Sequence, residues 1–124
     1  MLLGNVVQGG SYRNTYHLPT GGEFVTNSEK ISRPGNYSYI AARAYAVYPT
    51  NGEYDSYHRC KIKFSGYVRY QKMITSEVTL NDNNNSETHI GIIEGNLNAS
   101  GISAHVAGNN PDKDAYADIY YAAN

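Results

Sequence analysis

The side chains best suited to chemistry are few. Cys60 is the single thiol, and His17, His58, His89 and His105 are the histidines. A catalytic thiolate needs an electropositive, partly open setting and a histidine partner. Arg59 and Lys61 flank Cys60, and His58 lies two residues before it. On a strand, residues i and i+2 share a face about 7 Å apart. That is too far for a nucleophile–base hydrogen bond. Cys60 therefore reads as a small buried hydrophobe. His89 and His105 have the parity opposite to Ile90 and Ile102, which points both outward as candidate neighbours across a sheet. Two imidazoles begin a zinc site, but a third ligand is needed. No His-x-His, cysteine pair or adjacent carboxylate provides one, so no metal site is expected and both histidines read as solvated.

The carboxylates do not pair as a hydrolase requires. Glu23, Glu29, Glu53, Asp55, Glu77, Asp82, Glu87 and Glu94 are scattered. The acidic run "DKDAYAD" (Asp112–Asp118), with Asn109 and Asn110 before it, offers oxygens of the kind calcium takes. It lacks the EF-hand spacing and reads as a solvated turn leading into a strand. "NDNNNSE" (Asn81–Glu87) reads the same way, as a polar loop. There is no Gly-x-Ser-x-Gly, Walker loop or dinucleotide fingerprint. Neither a catalytic residue nor a cofactor is expected. Three sequons begin at Asn36, Asn84 and Asn98. They bear on function only in a eukaryotic secreted chain.

The elements that must position these residues are strands. In "RCKIKFSGYVRY" (Arg59–Tyr70), Cys60, Ile62, Phe64, Val68 and Tyr70 fall on one parity and Arg59, Lys61, Lys63, Ser65, Tyr67 and Arg69 on the other. Such alternation marks a strand with one buried and one wet face. Gly66 interrupts the apolar side, as at a bulge or a close approach. "AYADIYYA" repeats the pattern, with Ala115, Ala117, Ile119 and Tyr121 inward and Asp114, Tyr116, Asp118 and Tyr120 outward. Met73–Leu80, Thr88–Glu94 and Ile102–Ala107 are shorter strands, and Ser11–His17 and Glu23–Ile31 weaker ones. Pro49-Thr50-Asn51-Gly52 is a turn, with Asn-Gly a strong hairpin signal. Gly95-Asn96 and "GNNPD" (Gly108–Asp112) are turns or short loops.

"YSYIAARAYAVY" (Tyr37–Tyr48) poses the one contest between helix and strand. It lies between Pro34-Gly35-Asn36 and Pro49, has aromatics all round, and has no capping box after Asn36. It reads as a strand. Period two then puts Ile40, Ala42, Ala44, Ala46 and Tyr48 inward and Tyr37, Tyr39, Ala41, Arg43, Tyr45 and Val47 outward. The thin inner face leaves room for a facing sheet or a large side chain such as Phe64.

Composition agrees. The chain has 124 residues, 13 Tyr, 12 Gly, no Trp and two Phe, with 17% charged residues. Tyr favours strands and Gly favours tight turns. Closely spaced turn signals and no sustained helical period predict an all-β fold. The expectation is a single domain over residues 1–124, a two-layer antiparallel β-sandwich, Greek-key or jelly-roll-like, of about seven or eight strands. The net charge of −1 argues against a nucleic-acid partner. No run approaches the roughly 18 apolar residues of a membrane span. One cysteine excludes an intrachain disulfide. "MLLGNVV" is too short and uncharged for a signal peptide, so the chain is either cytosolic or a mature form carrying an added methionine.

What remains is the outward tyrosine set. Tyr37, Tyr39, Tyr45, Tyr67, Tyr116 and Tyr120 all take the solvent parity of their strands, in company with Arg43 and Arg69. Tyrosine gives a large contact area at low entropic cost, with a polar tip. Such a face stacks on sugar rings or docks a protein. The competing explanation is structural, because cross-strand pairs of this kind stabilise an exposed sheet by about 0.2–1 kcal/mol each.

"GGSY" (Gly9–Tyr12), Tyr16-His17 and "PGNYSY" (Pro34–Tyr39) together resemble lactococcin-972-type bacteriocins, which are small secreted β-sandwiches. The resemblance covers the first third of the chain, and aromatic positions that are usually tryptophan in that family are tyrosine here. It implies a secreted, bacteriocin-like effector.

The leading expectation is a non-catalytic, secreted or cell-surface module that binds a protein or glycan through the tyrosine face or its loops. The first alternative is an assembly subunit, a homo-oligomer using the same face or a sheet edge. The second is the bacteriocin-like effector.

Overall fold

The computed structural model describes residues 6–7, 10–27, 29–51 and 57–124. Gly9, Gly52, Glu53 and Asp55, and most of "MLLGNVV", lie outside the described residues. The strands, in chain order, are β1 (Val6–Val7), β2 (Ser11–Leu18), β3 (Val25–Thr26), β4 (Lys30–Ile31), β5 (Tyr39–Pro49) and β6 (Arg59–Tyr67). They continue with β7 (Gln71–Met73), β8 (Val78–Asn81), β9 (Thr88–Gly91), β10 (Ser100–Gly108) and β11 (Ala115–Ala123).

They form two sheets. One runs β1-β4-β10-β6-β7, with β3 also on β10 and β8 also on β6; the other runs β2-β11-β5-β9. The pairings are antiparallel except β1 with β4. The all-β, two-layer sandwich is thus the fold. Its strand number among the described residues exceeds the seven or eight expected because two segments are broken and β1 precedes the first expected strand. Glu23–Ile31 splits into β3 and β4, and Met73–Leu80 is interrupted over residues 74–77, between β7 and β8.

The buried parities meet between the sheets. Ile62, Phe64, Ile102, Ala104 and Val106 come from one sheet, and Leu18, Ile40, Ala42, Ala117, Ile119 and Tyr121 from the other. Phe64 meets Tyr121 edge-on, with centroids 5.0 Å apart at 62°. The register partner of Tyr121 on β5 is Ala42. Small residues on β5 beside a bulky pair on its neighbours fit the expected thin inner face. Gly66 is a point of close approach. A Cβ there would stand 3.0 Å from Ala99 Cβ, Ile74 Cδ1 and Ile102 Cδ1.

Three local expectations fail. First, β5 carries a bulge: Ala46 opposes Asp118 and Ala44 opposes Ile119, so Tyr45 is an extra residue. A bulge reverses which face the following residues occupy. Val47, expected outside, is therefore buried, while Ala46 and Tyr48, expected inside, lie on the outer face. Second, β6 stops at Tyr67 and not at Tyr70. The chain turns over Val68–Tyr70 and returns as β7, pairing Tyr67 with Gln71. Tyr70, placed inward by parity, is 63% exposed. Third, Pro49-Thr50-Asn51 does not head a hairpin. β5 and β6 belong to different sheets, so they are not paired as a hairpin.

Candidate functional site

The outer face of the β2-β11-β5-β9 sheet is built by three long strands and one short one. β2 presents Arg13 and His17, β11 presents Tyr116, Asp118 and Tyr120, β5 presents Tyr39, Arg43, Tyr45 and Tyr48, and β9 presents His89. Tyr37 stands just ahead of β5, its amide donating to the Asn124 carbonyl at 2.7 Å. Arg33 fixes the same segment from behind, donating to the carbonyls of Tyr37, Leu97 and Ala99. Its partial burial lowers the guanidinium pKa.

The face divides into three groups of touching side chains. At one end Tyr37 leans on Tyr39 (centroids 5.6 Å), and Tyr39 stacks on His89 at 4.0 Å and 11°. In the middle, two guanidiniums lie over the Tyr45 ring, Arg13 at 4.0 Å and Arg43 at 4.3 Å. Arg13 also holds Asp118 through two hydrogen bonds, of 3.0 and 2.8 Å. At the other end Tyr116 touches His17 (5.2 Å) and Tyr48 (5.7 Å). His17 Nε2 bonds the Asp114 carboxylate at 2.8 Å, and the Thr50 hydroxyl donates to it at 2.9 Å. These two bonds hold the Asp114 carboxyl below its usual range.

Of the eight residues singled out in the sequence, Tyr37, Tyr39, Arg43, Tyr45, Tyr116 and Tyr120 gather on this face or at its margin. Tyr67 and Arg69 do not. Tyr67 ends β6 in the other sheet, and Arg69 lies in the turn that follows. Both are exposed, but on the opposite side of the sandwich. Sequence reasoning missed Arg13 and His17. The alternation of Ser11, Arg13, Thr15 and His17 against Tyr12, Asn14, Tyr16 and Leu18 carried the signal. Tyr48 was missed because nothing in the sequence marks the bulge.

The histidines and the thiol are placed differently from one another. His105 has the outer parity but is not solvated, at 9% exposed. Its Nε2 bonds Ser65 Oγ at 2.7 Å and its Nδ1 bonds Thr26 Oγ1 at 2.9 Å. Desolvation, aided by the Lys63 charge, lowers its pKa. His89 is exposed on the other sheet, so the two are not neighbours. Cys60 is fully buried, and burial pushes its thiol up to about 12. His58 pairs instead with Asp82, Nδ1 to Oδ1 at 3.0 Å. Among the described residues, no three histidine, cysteine, aspartate or glutamate side chains gather as a metal site. No helix there is long and apolar enough to cross a membrane.

No protein-family model matches the chain. No curated protein matches it either. Among solved structures it is similar to the crystal structure of Yersinia pseudotuberculosis-derived mitogen, with a TM-score of 0.45 and 11% identity. That similarity covers 92% of this chain and 86% of the other.

Proposed function

We propose that the chain is a non-catalytic, secreted or cell-surface module that binds a protein or glycan partner on the outer face of the β2-β11-β5-β9 sheet. The observation that carries this reading is the exposure of three rings on one face: Tyr37 at 54%, Tyr45 at 40% and Tyr116 at 37%. Amphipathic rings held by neighbouring guanidinium and imidazole groups are pre-ordered, so little side-chain freedom is lost on contact. Flat aromatic surfaces suit both sugar rings and protein anchors. The test is a glycan array and a cell-surface pulldown with wild type, Tyr45→Ala and Tyr116→Ala. At least a tenfold loss in both variants, at unchanged thermal midpoint, supports the reading. Undiminished binding by both overturns it.

One observation favours a second reading, an assembly subunit. Among the described residues, the eight-residue strand β2 ends its sheet, paired with β11. An edge of this length is a template for pairing with a second copy. Light scattering across a concentration series decides it, since a monomer at all concentrations removes this alternative.

A further inference from the structure

A second feature lies away from the tyrosine face, at the end of the sandwich where β6 starts and β8 and β10 finish. A cleft of about 340 Å³ opens there, lined by Tyr57, His58 and Arg59, by Asn81 and Asn83, and by Asn110. That size lies within the roughly 300–1,000 Å³ range of small-ligand sites and exceeds what a lone oxyanion needs. Its walls are fixed by backbone. Arg59 and Asn81 are register partners, and the Asp82 amide donates to the His58 carbonyl at 2.8 Å. The Tyr57 hydroxyl accepts from the Asn110 amide at 3.3 Å.

The lining carries one guanidinium and the side-chain amides of Asn81, Asn83, Asn109 and Asn110. Asn81 and Asn110 commit their side-chain oxygens to the amides of Asn83 (2.9 Å) and Asp112 (3.0 Å). Each –NH2 remains to donate, and each oxygen keeps a second lone pair. Arg59 adds a guanidinium, the group best matched to a carboxylate. The Asp82 carboxylate, between Asn81 and Asn83 in the chain, is engaged at both oxygens, by His58 Nδ1 at 3.0 Å and by the Val47 amide at 2.8 Å. With Nδ1 on Asp82, His58 keeps Nε2 for a hydroxyl group. The cleft thus pairs donors for an oxyanion and for hydroxyl oxygens with amide oxygens that accept from hydroxyl groups.

We propose that this cleft binds a saccharide carrying a carboxylate, with Arg59 on the acid and the Asn81 and Asn110 amides on ring oxygens. A mostly polar, donor-rich lining suits a polyhydroxylated ligand better than an apolar one, and the single guanidinium suits one acid group. The site is separate from the tyrosine face and stands or falls without it.

The test is an amide-resolved NMR titration with a galacturonate trisaccharide, its methyl ester and inorganic phosphate. The expected result is saturable shifts at Arg59, Asn81, Asn83 and Asn110, with the methyl ester at least tenfold weaker. Arg59→Gln weakens the acid sugar at least tenfold. Asn81→Asp keeps an oxygen for the Asn83 amide but replaces the –NH2 with negative charge, and it too loses binding, so the result does not depend on one variant. Equal affinity for the methyl ester or for phosphate overturns the proposal, as does the absence of saturable shifts. Shifts confined to Tyr45 and Tyr116 also overturn it, and would instead support the sheet face as the sugar site.

Discussion

Arg13 holds Asp118 at two points, Nε to Oδ1 at 3.0 Å and Nη2 to Oδ2 at 2.8 Å, while its guanidinium carbon stands 4.0 Å from the Tyr45 ring centroid. The ion pair spans β2 and β11, and the ring belongs to the bulge of β5, so one side chain ties three strands together on the outer face. The pair is exposed, and exposed pairs add little to stability and are screened by salt. Arg13→Ala is therefore expected to leave the urea midpoint nearly unchanged. It should move the Tyr45 ring resonances towards their unfolded values. Arg13→Lys keeps the charge but not the planar fork, so the shift should be intermediate. A Tyr45 ring indifferent to both substitutions would show that Arg13 does not hold it.

The bulge at Tyr45 gives a sharper test, because it exchanges the faces of two adjacent residues. Ala46 sits outside opposite Asp118, whereas Val47 is 2% exposed. Ala46→Lys should be tolerated, with the new ammonium close to a carboxylate. Val47→Lys places an unpaired charge in the core and should cost at least about 3 kcal/mol or unfold the chain. Thermal melts of the two variants decide between bulged and unbulged registers. With no bulge, their effects would be reversed.

This is also where the limit of the sequence lies. Period-two alternation identified β5, β6, β10 and β11, because burial on one face writes its own period into the residue types. The inward set of β11, Ala115, Ala117, Ile119 and Tyr121, is buried as expected. A bulge is one residue of slip enforced by the partner strand, and Tyr45 has no residue type that announces it. His105 was misread for a related reason. Parity gives the side of a sheet, but not whether neighbouring strands cover it. Tyr67 and Tyr45 share a composition argument yet sit on opposite layers, because sheet membership depends on strand order, which no local pattern encodes.

Gly66 is required by packing. A methyl group there would lie 3.0 Å from carbons of Ala99, Ile74 and Ile102, all three buried. Overpacking of this kind costs about 1–3 kcal/mol. Gly66→Ala should lower the urea midpoint accordingly with an unchanged slope, measured by equilibrium unfolding. A variant as stable as wild type would mean that the surrounding side chains yield freely.

Cys60 should behave as an inert thiol. It is fully buried, and burial raises its thiol to about 12, with the Asp82 charge adding to the effect. Thiolate is the reactive form, so a thiol reagent at pH 8 should label the native protein no faster than the protein opens and should label it at once in urea. Cys60→Ser puts a hydroxyl in an apolar site and should cost about 1–3 kcal/mol. Rapid labelling of the folded chain would contradict the burial.

His105 makes stability depend on pH with a definite sign. Its ring is bonded to Ser65 and Thr26, and Lys63 is its register partner on β6. Desolvation first, and the Lys63 charge second, lower its pKa below 6.5. The folded state therefore holds fewer protons than the unfolded state between the lowered value and 6.5. The stability gained from keeping this imidazole neutral is fully present above the unfolded pKa and is lost as pH falls from there through the folded one. A single proton sets the upper bound of that slope at about 1.4 kcal/mol per pH unit. His105→Gln keeps hydrogen-bonding capacity but cannot take up the proton. Unfolding free energy measured from pH 7.5 to 5 should fall more steeply for wild type than for His105→Gln. Parallel profiles would show that this histidine titrates alike in the folded and unfolded chains.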